Sequence, residues 1–264
     1  MTSLARRRPP PALTAVLVLA GFFAFWQVAL TVAAPRRTVI PTPLAIVDAL
    51  ASQPSAWWSN VVATGHAAVL GFAIGCLLAV GLALVAISFR PMEGAVLRLG
   101  LALYAAPIIV VAPLVVLWLG PGLQTRVAIA VLACFFGILV NAIRGLRAVS
   151  RESTEMLHVL AASPAQMFWM VRVPSSLPYV FSALKVAAAA AVLGAIIGEW
   201  VGADRGLGVV LYYSLFQFEV ARLWAAMVLC TALAMAGYVL VGVAERRLLP
   251  WHESVRIARL EAKA

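Results

Sequence analysis

The chain has 264 residues, 64% of them hydrophobic and 11% charged, with a mean hydropathy of +1.01. A soluble domain is about 45–50% apolar and about 25% charged, so a soluble fold is excluded and an integral membrane protein is indicated. The 20 Lys+Arg against 10 Asp+Glu give +10; Arg-rich cytoplasmic loops supply such an excess, and no basic array interleaved with stacking aromatics points to nucleic acid.

Residues 1–11 read as a basic cytoplasmic N-terminus carrying Arg6, Arg7 and Arg8. The apolar run 12–34 is longer than the 7–15 residues of a signal-peptide core, so it reads as an uncleaved first transmembrane helix. Residues 35–58 form an extracytoplasmic segment. Within it a short helix is expected from Pro43 with Thr42 as N-cap, and Trp57 and Trp58 are expected to anchor the next span at the interface.

Residues 59–246 read as one membrane domain with five further spans of about 20 apolar residues. These are centred on 61–88, 99–119, 127–143, 180–201 and 223–244, and residues 247–264 form a basic cytoplasmic tail. With the N-terminus inside, fourteen Lys and Arg fall on the cytoplasmic side (Arg6, Arg7, Arg8, Arg90, Arg98, Arg144, Arg147, Arg151, Arg172, Arg246, Arg247, Arg256, Arg259 and Lys263). Five fall outside: Arg36, Arg37, Arg126, Arg205 and Arg222. That bias predicts an all-α protein of six spans with both termini in the cytoplasm.

The second span carries Gly71 and Gly75, and the fifth Gly194 and Gly198, the small-xxx-small spacing that lets helices approach closely. Packing within the chain is their expected use. The third span reads YAAPIIVVAPLVVLWLG. Pro107 and Pro113 each remove a backbone hydrogen bond and kink the helix. The freed carbonyls need protein or water partners, so this span is expected to face protein or a cavity on one side. The fifth span ends AIIGEWVGADRGLG. Two readings of Glu199 stand side by side: an interfacial carboxylate beside Trp200 within reach of Arg205, or a group facing a passage as part of a gate.

Catalytic chemistry finds no footing. There is no HExxH, GxSxG or P-loop motif. The three His residues, His66, His158 and His252, are scattered. Cys76, Cys134 and Cys230 stand singly in apolar runs without metal-ligand spacing. Catalytic residues, a metal site and a bound cofactor are therefore not expected.

The connection 144–179, RGLRAVSRESTEMLHVLAASPAQMFWMVRVPSSLPY, is the longest, and the charge bias makes it cytoplasmic. Two short helices fit, 152–161 and 164–173. Ser163 is the N-cap and Pro164 the first residue of the second, which is expected to end at Pro174 and Pro178. Met167, Phe168, Met170 and Val171 give it a wide apolar stripe. Such a stripe either meets a partner or packs on the chain's own spans.

This loop resembles the EAA motif of ABC-importer permeases, in which EAA, three residues, Gly and nine residues precede I-x-L-P. Glu155 matches the Glu, Ala161 stands in place of the Gly, and Val171, Val173 and Pro174 fall in register with Ile, Leu and Pro. APIIVVAPLVVLWLG, EWVGADRGLGVVLYYSLFQFEVARLWAAMVL and AERRLLPWH resemble further stretches of the family, over roughly residues 59–252. The combination is most similar to the nitrate/sulfonate/taurine branch, which includes permeases for thiamine-pyrimidine precursors. Met156 and Leu157 depart from the two Ala, and Ala161 departs from the Gly.

The resemblance implies the type I ABC-importer permease fold in a bacterial cell membrane. It implies a second permease copy as homodimer partner, two copies of an ABC ATPase subunit that uses the ATP, and an extracytoplasmic solute-binding protein delivering a sulfonate- or nitrate-like anion or a pyrimidine-type heterocycle. Glu155, Ala161, Ser163, Pro164, Met167, Phe168, Val171 and Pro174 then form the ATPase-coupling loop, with Met167 and Phe168 as groove contacts and Glu155 organising the loop through Arg144, Arg147 or Arg151. Pro107, Pro113 and Glu199 are candidates for the translocation path. The competing reading is a secondary transporter or channel working without an ATPase, against which the near-absence of ionisable groups at mid-span counts.

Overall fold

The computed structural model describes residues 11–33 and 39–250. The basic N-terminus, the Arg36–Arg37 pair and the tail beyond Pro250 lie outside the described residues. The described residues are helical apart from short connections, with no strand among them. In chain order the helices are α1 (Pro11–Ala33), α2 (Pro43–Ser52), α3 (Pro54–Ser88), α4 (Arg90–Ala105), α5 (Ile108–Leu119) and α6 (Leu123–Arg147). α7 (Arg151–Val159), α8 (Pro164–Met167), α9 (Val173–Trp200), α10 (Leu207–Phe216) and α11 (Val220–Leu248) follow.

Four helical segments are long and apolar enough to cross a membrane: α3, α6, the continuous helix Pro164–Trp200 that ends in α9, and α11. α4 and α5 make a fifth if the pair is one broken crossing, and α1 contributes a shorter apolar stretch, Val16–Val32. The expected third span is thus not one kinked rod. Pro91–Ala105 and Ile108–Leu119 meet at 98°. The cause is local: Pro107 drives the preceding Ala106 out of the helical region, to φ −70° and ψ 125°. Pro113, by contrast, lies inside α5 without ending it. Ala112 and Val115 of α5 pack on Ile129 of α6, while Pro107 and Pro113 are exposed on the opposite side of the single chain.

The core lies where α3, α6 and α9 meet, and it is built from small residues, among them Ala67, Ala79, Ala83, Ala130, Ala191 and Ala195. Both glycine pairs serve it. A Cβ on Gly71 would stand 2.4 Å from Ala130 Cβ and one on Gly75 2.6 Å from Cys134 Sγ. One on Gly194 would meet Ala130 Cα at 2.7 Å, and one on Gly198 Arg126 Cα at 2.8 Å. α6 is therefore clasped from two sides, parallel to α3 and antiparallel to α9, and close van der Waals packing replaces a hydrophobic driving force between helices.

α2 forms as expected: Thr42 Oγ1 accepts from the Ala45 N–H at 3.3 Å, ahead of Pro43. The two tryptophans part company. Trp57 is buried, and its Nε1 donates to the Ala49 carbonyl at 2.9 Å. Trp58 is exposed. α1 meets the bundle at its edge, where Trp26 and Trp224 rings pack edge-on at 5.7 Å.

Candidate functional site

Two places carry the candidate residues, at opposite ends of the helices. The first is the 144–179 connection. Ser150 caps α7, accepting from the Ser153 N–H at 3.1 Å. α7 stops in a Schellman turn: the Ala162 N–H donates to the Leu157 carbonyl and the Ala161 N–H to the His158 carbonyl, each at 3.0 Å. That turn requires a left-handed residue, and Ala161 supplies it with φ +52°. The chain thus keeps the bend for which the resembling permeases use Gly, at the cost of a Cβ in a disfavoured region.

Ser163 then forms a full capping box: it accepts from the Gln166 N–H at 3.3 Å, and its own N–H donates to Gln166 Oε1 at 2.8 Å. Pro164 occupies the first helical position. The expected stop at Pro174 and Pro178 does not occur. The helix widens into a π turn over Phe168–Arg172, where the Val173 N–H donates to the Phe168 carbonyl, and runs on as α9. Pro174 has no N–H for the Met170 carbonyl, and its ring would clash with that carbonyl in a regular α-turn; the wider turn relieves both. Past Pro178 the helix continues, with Ser176 Oγ donating to the Val173 carbonyl at 2.7 Å. What looked like a fenced short helix is the first turns of a membrane helix.

The surface of this loop differs in detail from the stripe read in the sequence. Met167 is buried in the chain itself, and Phe168, Val171 and Pro174 are half-buried; in this conformation Met167 is not open to a groove. The exposed apolar side chains are Met156, Val159 and Leu160 on and just after α7, with Trp169 and Met170 on the π turn. Val159 is 87% exposed. Glu155 is exposed on α7. Arg147, one of its expected partners, instead pairs with Glu93 of α4, which ties the broken span to the base of the loop. Glu93 was not singled out in the sequence.

The second place is the carboxylate cluster around Glu199. Glu199 is 2% exposed. Its Oε1 accepts from Thr64 Oγ1 at 2.8 Å and its Oε2 from the Gly208 N–H at 2.7 Å. Thr64 Oγ1 in turn accepts from the Leu207 N–H at 2.8 Å, and Asn60 Oδ1 from the Gly206 N–H at 2.8 Å. The carboxylate and its two helpers therefore satisfy the orphan N–H groups that open α10, and its charge complements that helix's dipole. Arg126 stands 3.9 Å away. Gly206 is indispensable to the fit: its φ is +141°, and a Cβ there would lie 2.2 Å from the Glu199 carboxyl carbon.

Of the two readings of Glu199, the geometry is that of a buried clasp joining α3, α6, α9 and α10. Pro107 and Pro113 lie away from it, on α5 and its entry. Asn60 and Thr64 went unnoticed in the sequence. Their signal was present: two polar residues one turn apart in an otherwise apolar helix. A second, partly buried pair, Lys185 with Glu245 at 2.8 Å, links α9 to α11 near the loop end. No cluster of three or more metal-ligating side chains occurs among the described residues.

Comparison with known proteins agrees with this architecture. Among solved structures, the chain is similar to the MetNI methionine ABC transporter in its inward-facing form, with a TM-score of 0.54 at 22% identity over 71% of this chain and 94% of that one; this likeness concerns the fold. Among curated sequences, it is 30% identical to the formylaminopyrimidine transport permease protein ThiX of Halalkalibacterium halodurans, over 94% of this chain and 99% of that protein. It is 30% identical to the riboflavin transport system permease protein RibX of Chloroflexus aurantiacus, over 92% of each. It is 24% identical to the taurine transport system permease protein TauC of Escherichia coli, over 84% and 81%. Residues 71–251 match the model of the binding-protein-dependent transport system inner membrane component, and the chain belongs to that family, as a permease of an ABC importer.

Proposed function

We propose that the chain forms the passage of an ATP-driven importer in a bacterial cell membrane, as one of two copies, with six spans and both termini in the cytoplasm. α1 is the first span and the α4–α5 pair the third. A solute-binding protein delivers a sulfonate- or nitrate-like anion or a pyrimidine-type heterocycle to the end where Glu199 lies. A separate ATPase subunit, one per permease copy, docks on the 144–179 loop, since the chain carries no P-loop.

The observation that carries this reading is the α7–turn–α8 unit. It presents Met156, Val159, Leu160, Trp169 and Met170 as an exposed apolar surface on two capped helices, the form that suits helix-in-groove docking. Because the second of these helices is continuous with α9, a displacement of the docked loop is carried into the membrane as a rigid rod. Nucleotide then shifts the passage between its two open states through its differential affinity for them.

Uptake into proteoliposomes tests the reading. The permease with its ATPase and binding protein should accumulate solute only with ATP inside. The permease alone under an ion gradient should give none; uptake under that gradient would make it a secondary transporter.

A further inference from the structure

At the end of the helices away from the coupling loop lies a cleft of about 650 Å³. Its walls include Trp58, Ser59 and His66 from α3, Arg126 from α6 and Arg205 from the turn before α10. It backs onto the Glu199 clasp but uses a different face of α3. Asn60 and Thr64 turn to the clasp, while Trp58, Val62 and His66, one turn apart in succession, turn to the cleft. The α3–α6 register set by Gly71 against Ala130 and Gly75 against Cys134 brings His66 level with Arg126.

Arg126 also serves the Glu199 clasp; the Arg205 side chain does not. Arg205 is exposed and has no ion-pair partner among the described residues. Arg126 is fixed in place: Nε donates to the Gly122 carbonyl at 3.3 Å and Nη1 to the Arg205 carbonyl at 3.4 Å. Glu199, 3.9 Å from Arg126, has a side chain with no exposure and sits behind the wall, and Asp204 is exposed but not among the lining residues. The charged residues lining the cleft are both cations, Arg126 and Arg205. His66, exposed on α3, is costly against lipid and belongs against water or a polar partner. Trp58, 70% exposed, adds an aromatic face.

We propose that this cleft is the solute's entry subsite in the passage and that it selects small solutes bearing an anionic group such as a sulfonate, phosphate or carboxylate. Arg205 grips the anion, with Arg126 as the fixed second cation, since guanidinium forks match the oxygens of such groups; the remainder of the solute lies on Trp58. The inference rests on the importer reading and narrows its solute class.

The test uses the full chain assembled with its ATPase in phosphatidylcholine nanodiscs, titrated with ethanesulfonate while tryptophan emission is followed. Trp58→Phe supplies the background. Ethanesulfonate should give a saturable change absent from Trp58→Phe. Arg205→Gln should weaken it about 10-fold or more, Arg205→Lys should weaken it less, and neutral ethanesulfonamide should neither bind nor compete. No saturable response, equal binding of ethanesulfonamide, or an Arg205→Gln variant that binds like the parent overturns the proposal. Discs containing phosphatidylglycerol separate solute from lipid: if that lipid abolishes the ethanesulfonate response through Arg205, the cleft takes headgroups and the solute proposal falls. Copurification of the ATPase with the chain is scored separately. Its failure counts against the importer reading, not against the cleft.

Discussion

Ala161 holds the turn of the coupling loop with a left-handed backbone that an L side chain adopts at a cost of about 1 kcal/mol. Replacing it with Gly removes that cost without altering a hydrogen bond of the turn. Ala161→Gly is therefore expected to stabilise the α7–α8 unit by about 1 kcal/mol, seen as slower exchange of the Ala162 amide; unchanged or faster exchange would mean the turn is not left-handed. Glu199 predicts the opposite sign. In Glu199→Gln one of the two acceptors becomes a donor facing either the Gly208 N–H or the Thr64 hydroxyl. With the side chain fully buried, the loss is about 1–3 kcal/mol, read as a lower melting temperature of the complex. Retained melting with lost transport would restore the gate reading.

The element that matters most is the helix running from Pro164 to Trp200, because it joins the loop to the core without a hinge. The π turn at Phe168–Arg172 sets the angle at which Trp169 and Met170 leave that rod. Pro174→Ala returns an N–H to the Met170 carbonyl and removes the ring clash, so the segment is free to tighten to α geometry. Tightening rotates the docking side chains about the helix axis relative to α9. Transport is expected to fall several-fold while the ATPase still copurifies; unchanged uptake per ATP would show that the π turn has no part in coupling.

Across the molecule, the legible parts were those with a local cause. The Ser163 cap, the Thr42 cap and the loss of helical backbone ahead of Pro107 follow from what each residue does to its own backbone, though the sequence predicts a kink there and not a 98° break. The parts that were not legible depend on distant partners. Proline rules place an end at Pro174, but the surrounding helices and a wider turn keep the rod continuous. α10 escaped notice because its start is capped by Glu199 and Thr64 from other helices rather than by a neighbour in sequence. Met167 reads as part of an outward stripe, yet the fold turns it inward and leaves Val159, Leu160 and Trp169 outside. Glu199 drew attention as a lone acid, but only the fold shows Gly206, Gly208, Asn60 and Thr64 closing round it.

The proposed function makes the exposed surface of the α7–α8 unit the seat of the ATPase. The direct measurement is copurification of the ATPase with Leu160→Asp/Trp169→Asp permease from membranes in which the variant reaches parental levels. The account predicts that the ATPase is lost, or its yield reduced at least tenfold, because two charges are set into an apolar contact that must be desolvated. Full recovery of the ATPase with that variant would contradict it.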